Sequence, residues 1–154
     1  MSITVRRAGL EDLPALIALG RVMRAESLIP FPDIDEATTR ARLAQYERAG
    51  VPYFMALAEQ EPGGAVGMIT AQPCIYVFAE GLCAQHDIFY VRPEKRGSDA
   101  ALKLVRAFED WADTIGAREI RIAVHTGLFP ERTGRFYQKL GYRHMGGNYM
   151  KEIH

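Results

Sequence analysis

The stretch Val91-Arg92-Pro93-Glu94-Lys95-Arg96-Gly97-Ser98-Asp99-Ala100-Ala101 constrains this chain more than any other. A strand-like run, Ile88-Phe89-Tyr90-Val91, enters it, and a helix leaves it. That helix has apolar residues at Ala101, Leu104, Val105, Phe108, Ala112 and Ile115, one face at spacings of three and four. A strand that breaks sharply into a helix leaves N–H groups free at the helix start. Together with the positive end of the helix dipole they form an anion site. Arg92, Lys95 and Arg96 add full charges nearby. The simplest reading is a seat for a phosphate or pyrophosphate; the plainer one is a strand-turn-helix whose basic residues face water.

Elsewhere the periodicities predict alternating elements. Ile3 to Arg6 reads as a strand. A helix starts near Gly9-Leu10-Glu11-Asp12 and runs to about Ala25. The prolines at 30 and 32 interrupt the next segment, and a second helix runs from Asp35 to Gly50, with Leu43 and Tyr46 turned inward. Tyr53 to Ala58 reads as a buried strand. Ala65 to Val77 reads as another, with Pro73 at a bulge or an end. Leu82 to Val91 is the fourth strand and Glu119 to Val124 the fifth. A short helix spans Arg132 to Leu140 with Phe136 and Leu140 on its buried side, and Gly141 closes it. Gly146-Gly147 turns a last strand pair, 142–145 and 148–153. Hairpins first and a strand-helix-strand crossover later imply a mixed sheet with helices on both faces.

The segment from Ala84 to Tyr142 resembles the GNAT acyl-CoA-dependent N-acetyltransferases. The resembling residues are Tyr90-Val91-Arg92-Pro93, Arg96-Gly97-Ser98-Asp99-Ala100-Ala101 and Phe136-Tyr137-Gln138-Lys139-Leu140-Gly141-Tyr142. The start, Ile3 to Ala15, is similar to the family's first strand and helix. Asp99 stands where the family's phosphate loop has its middle glycine. Pro130 stands where an asparagine is usual, and Thr133 where an alanine is. The resemblance implies one α/β domain over residues 1–154. Its mostly antiparallel mixed sheet of six to seven strands is flanked by helices, in the order β-α-α-β-β-β-α-β-α-β-β, and the fourth and fifth strands splay apart around the acyl-pantetheine arm. It also implies acetyl-CoA as acyl donor and a primary amine as acceptor, of a small molecule first and of a protein second.

Acyl transfer from a thioester to an amine sets four requirements. The donor must be held, which falls to the N–H groups of Arg96, Gly97, Ser98, Asp99, Ala100 and Ala101. The tetrahedral oxyanion needs a donor; the resemblance implies a backbone N–H at or near Val91. The departing thiolate needs a proton, and Tyr137 is the candidate acid, since an ordinary tyrosine stays protonated at neutral pH. The amine must lose a proton. Asp87, four residues before Val91, is the candidate base, directly or through a water, with His86 and His125 as alternatives. In a regular strand His86 and Asp87 point to opposite faces, a parity that a bulge would scramble. The acids Glu26, Asp33, Asp35 and Glu36 are candidates to hold a cationic acceptor, or are helix caps and solvated loop charges. Asp99 is expected to point outward, away from the phosphate seat. A non-catalytic acyl-CoA-binding module is the rival reading that Asp99 supports.

Composition removes other classes. The 154 residues carry 19 basic and 19 acidic side chains, a formal net charge of +0, which offers nucleic acid or an anionic membrane no electrostatic handle. No apolar run is long enough to span a bilayer, and no basic-then-apolar leader opens the chain. The expected location is the cytoplasm, and a homodimer is a further expectation. Cys74 and Cys83 lack metal-ligand spacing and are read as reduced thiols that could face each other across a hairpin. No metal is expected.

Overall fold

The computed structural model describes residues 2–154. Nine elements follow in chain order: β1 (Thr4–Arg7), α1 (Leu13–Glu26), α2 (Glu36–Arg48), β2 (Phe54–Gln60), β3 (Gly64–Ile75), β4 (Leu82–Val91), α3 (Ala100–Thr114), β5 (Ile120–Arg121) and α4 (Pro130–Lys139). Short 3-10 turns precede α1 and α3. The sheet runs β1-β2-β3-β4-β5; the first three pairings are antiparallel and β4–β5 is parallel.

β2 is apolar on both faces because both are covered. Phe54, Ala56 and Ala58 face α3, whose Leu104, Phe108 and Trp111 complete that core. Met55 and Leu57 face α1, against Leu13, Leu16, Leu19 and Met23. Phe108 is fully buried and stacks with Phe54 and Trp111, with ring centroids 6.1 Å apart in both pairs. Truncating such a side chain to alanine costs about 3–5 kcal/mol.

Pro73 lies inside β3 rather than at its end or at a bulge. Ala84, opposite it, sends its N–H the other way, to Glu119 O at 3.0 Å. Pro73 therefore occupies a position whose N–H would point to the outer edge of β3, where β2 has already ended, since the β2 ladder stops at Ala71. No ladder bond is lost. One residue further on, Cys74 and Cys83 face each other across the ladder as free thiols.

Two expectations need correction. The sheet has five strands among the described residues, not six or seven: residues 142–154 form no strand, and Met145, Tyr149 and Ile153 are exposed. β5 pairs with β4 only at Ala84 and Gln85, so it offers an edge too short to template further strands. α2 fully buries none of its residues: Leu43 and Tyr46 do turn inward, Leu43 onto the α1 core and Tyr46 onto the Tyr53 ring, but both stay partly covered.

The cause of the short β5 is a bulge in β4. Thr70 pairs with Ile88 and Ala71 with His86, which leaves Asp87 as the extra residue. A bulge bends its strand and sharpens the local twist. Beyond it β4 leaves β5, and the gap becomes a cleft.

Candidate active site

The cleft holds a cavity of about 450 Å³. Its walls are β4 from His86 to Val91, the segment Ala123–Thr126 that continues β5, and α4. The α1–α2 connection covers one end and the start of α3 the other. That connection is latched across the cleft: Leu28 N and Ser27 Oγ both donate to Thr126 O at 3.0 Å. Arg24 holds its other side, donating from Nε to Phe31 O at 3.0 Å and pairing with Asp33 at 2.6 Å.

Alternation along β4 decides where its backbone donors point. Arg92 N donates to Val66 O on β3, so Val91, one residue earlier, turns its N–H and C=O away from β3 and toward the cleft. Its carbonyl accepts from Arg96 Nε at 3.1 Å. The Val91 N–H is thus a donor beside the cavity, on the open edge of β4.

The loop before α3 divides its amides. Arg96 N donates to Pro93 O and Ser98 N to Lys95 O, both at 3.2 Å, and Ala100 N donates to Ser98 Oγ at 3.3 Å. The amides of Gly97, Asp99 and Ala101 have no acceptor among the described residues. The expected run of six donors is therefore three, alternating with three that hold the turn. Gly97, at φ 92°, supplies the left-handed residue that makes the turn. Asp99 does not occupy the seat: it is exposed, caps no amide, and pairs with Lys103 at 2.7 Å.

Arg96 is not a loose charge at the seat either. It forms a two-pronged pair with Glu26, one prong at 2.7 Å, and lies 5.5 Å over the Tyr90 ring. The Tyr90 hydroxyl donates to the same carboxylate at 2.7 Å. Glu26, the last residue of α1, is therefore a clamp between α1, β4 and the loop. The Arg96 contact, reinforced by Tyr90, holds its carboxyl below the usual range. The other acids of the region are also engaged: Asp35 accepts from Thr38 N at 3.1 Å as the cap of α2, and Glu36 pairs with Arg40. None of the four borders the cavity.

Tyr137 is the buried residue of α4, and Phe136 is the partly exposed one. The helix is rotated from the expected stripe by its ending. Gly141, at φ 94°, lets Gly141 N bond Gln138 O at 3.0 Å and Tyr142 N bond Tyr137 O at 3.1 Å. This is a Schellman ending, and the Tyr142 ring packs on that of Tyr137. The Tyr137 hydroxyl donates to Ala123 O at 3.1 Å and borders the cavity, and burial raises its pKa well above the ordinary tyrosine value.

The bulged Asp87 borders the cavity with its carboxylate anchored behind β4. Tyr53 Oη donates to Oδ2 at 2.8 Å and Gln72 Nε2 to Oδ1 at 3.1 Å. Burial pushes the carboxyl above its ordinary range, against the pull of those two hydrogen bonds. His86 is buried and stacks on His125, with ring centroids 4.7 Å apart. Burial, with the neighbouring His125, lowers His86 to about 4, so its ring is neutral at pH 7. His125 Nδ1 lies 3.3 Å from Asp87 O. A neutral ring with Nδ1 protonated would donate there and leave Nε2 as its free lone pair. Among the described residues no cluster of side chains could hold a metal ion.

Residues 52–144 match the family described as the acetyltransferase (GNAT) domain. The chain belongs to the GNAT family. Solved structures agree in fold over the whole length. An aminoglycoside acetyltransferase from an uncultured soil metagenomic sample superposes with a TM-score of 0.79 at 18% identity, covering 99% of this chain and 97% of its own. Glucosamine-6-phosphate N-acetyltransferase from Arabidopsis thaliana gives 0.77 at 14% identity, with 100% of both chains covered. AAC(6')-Iy, solved with a CoA-containing bisubstrate analogue, gives 0.74 at 18% identity, covering 100% of this chain and 99% of its own. No curated protein matches the sequence. Family and fold together support an acyl-CoA-dependent acetyltransferase. No helix among the described residues is long and apolar enough to cross a membrane.

Proposed function

We propose that this GNAT protein moves an acetyl group from acetyl-CoA directly to the primary amine of a small molecule. The observation that carries the reading is convergence. The Val91 N–H, the Tyr137 hydroxyl and Asp87 meet one cavity, the free amides of Gly97 and Ala101 lie at one end of it, and that of Asp99 belongs to the same loop. Those amides and the start of α3 hold the pyrophosphate. The Val91 N–H donates to the oxyanion that develops on the acetyl carbonyl. Tyr137 exchanges its bond to Ala123 O for the departing sulfur and gives it a proton. Asp87, kept basic by burial, takes the amine proton through a water, since Tyr53 and Gln72 hold its carboxylate behind β4. Neither cysteine borders the cavity, which favours direct transfer over an acyl-enzyme.

The test is release of free thiol from acetyl-CoA in the presence of a panel of primary amines, with the acetylated amine identified by mass. Thiol release dependent on an amine supports the reading. Binding of acetyl-CoA with no amine-dependent release refutes it in favour of a binding module.

A further inference from the structure

The charges around the cavity restrict which amine can enter. Its charged lining residues are Arg24, Arg96, Arg132 and Asp87. Asp87 is the only carboxylate that borders it among the described residues, and both of its oxygens already accept hydrogen bonds. The nearby acids do not border the cavity, and each has a partner within this chain. Glu26 serves Arg96 and Tyr90, Asp33 serves Arg24, Asp35 caps α2, and Glu36 pairs with Arg40. A substrate with several ammonium groups would bring each additional charge into the cleft without a counter-charge, which strips its water uncompensated.

The covered end of the cavity has the opposite character. Met23 from α1, Phe31 and Ile34 from the connection, and Ile88 from β4 give it an apolar wall. The latch at Thr126 and the Arg24 clamp hold that connection over the cleft through backbone atoms and Asp33, which leaves the Phe31 and Ile34 side chains free to line it. An apolar wall gains by covering hydrocarbon and gives nothing to a hydroxylated polycation.

From this charge balance and this wall we infer that the acceptor is a monoamine on an apolar body, not a polycation. The inference rests on the acetyltransferase reading and narrows its substrate class. It also separates this chain from the aminoglycoside acetyltransferases whose fold it shares. The ammonium loses two protons in all, one released through the Asp87 water and one balancing the proton that Tyr137 gives to sulfur, the acetyl group moves from sulfur to nitrogen, and no further group on the acceptor needs a charged partner.

The experiment compares kcat/KM for phenethylamine, spermidine, kanamycin and glucosamine-6-phosphate by thiol release at fixed acetyl-CoA. Acetyl-CoA binding is measured separately by calorimetry. Phenethylamine should exceed each of the others by about ten-fold or more, the scale of one buried aromatic ring. Phe31→Ala should raise its KM by about five-fold or more with acetyl-CoA affinity unchanged, and Phe31→Glu should shift the preference toward spermidine. Spermidine or kanamycin equal to or better than phenethylamine overturns the charge argument. A preference for glucosamine-6-phosphate overturns the apolar one. If acetyl-CoA binds and no amine turns over, calorimetry of the CoA-loaded protein decides: tighter binding of phenethylamine than of spermidine upholds the inference although the enzyme reading fails, and equal or absent binding overturns it. Failure to bind acetyl-CoA removes both.

Discussion

Replacing Glu26 by glutamine tests whether the end of α1 positions the phosphate loop. Glutamine keeps the length and one acceptor oxygen but removes the charge that faces Arg96. In the native protein the carboxylate accepts two prongs from Arg96 and one bond from Tyr90, and both charged side chains are about a quarter exposed, 25% for Glu26 and 23% for Arg96. A hydrogen bond to a charged group is worth about 1.5–3 kcal/mol and a fully exposed pair about 0–1. A pair that is a quarter exposed lies between, so the loss should be about 1–2 kcal/mol. For a chain of this length that lowers the midpoint by roughly 3–6 °C.

The assay is thermal and urea unfolding of both proteins across pH. Because the Glu26 carboxyl is held below its ordinary value of 4.5, its contribution is present above that pH and disappears as pH falls through the native value. The gap between wild type and Glu26→Gln should therefore be constant near neutrality, narrow below about pH 4.5 and close in stronger acid. Acetyl-CoA affinity should fall as well, because the loop amides lose their anchor. A stability difference under about 0.5 kcal/mol at pH 7, or a gap that does not narrow in acid, would refute the clamp.

Three further outcomes follow from the site. Tyr137→Phe should lower turnover about ten- to a thousand-fold with little change in acetyl-CoA affinity, since general acid catalysis is worth about that much, and unchanged turnover would return Tyr137 to a packing role. Asp87→Asn should lower the rate and flatten its rise with pH; because burial raises the Asp87 carboxyl, the wild-type rise should begin above the usual carboxylate range, and a variant with the same profile would move the proton to His125. Asp99→Asn should change acetyl-CoA affinity by less than about 0.5 kcal/mol, the scale of an exposed charge near a helix end, whereas a ten-fold tightening that fades with salt would place the carboxylate at the seat.

The central strands and α3 were legible because their periodicities agree with their turns. β2 is apolar on both faces and lies between two helices, and the stripe on α3 is the one that packs on it. The tail from Tyr142 was misread because a strand needs a partner edge, and the bulge at Asp87 removes that edge from a place far away in sequence. On α4, spacing put Phe136 and Leu140 on the buried side, and the structure buries Tyr137 instead, with the Gly141 ending tying Tyr142 back onto it. The Glu26–Arg96 clamp and the Tyr53 and Gln72 bonds to Asp87 join positions 70, 34 and 15 residues apart. No local pattern announces such pairs, because they exist only once the sheet has set β3 beside β4 and brought the end of α1 and the start of β2 within reach of it.

Pro73 has a consequence outside the active site. Beyond Ala71 the outer side of β3 has lost β2, and among the described residues no other strand pairs with it. Such an edge is an invitation to another molecule, which could extend the sheet from one copy to the next. A proline there withholds the donor that a visiting strand would need while leaving the bonds to β4 intact. The consequence is colloidal: a proline at this position works against sheet extension from one folded copy to the next in a concentrated solution.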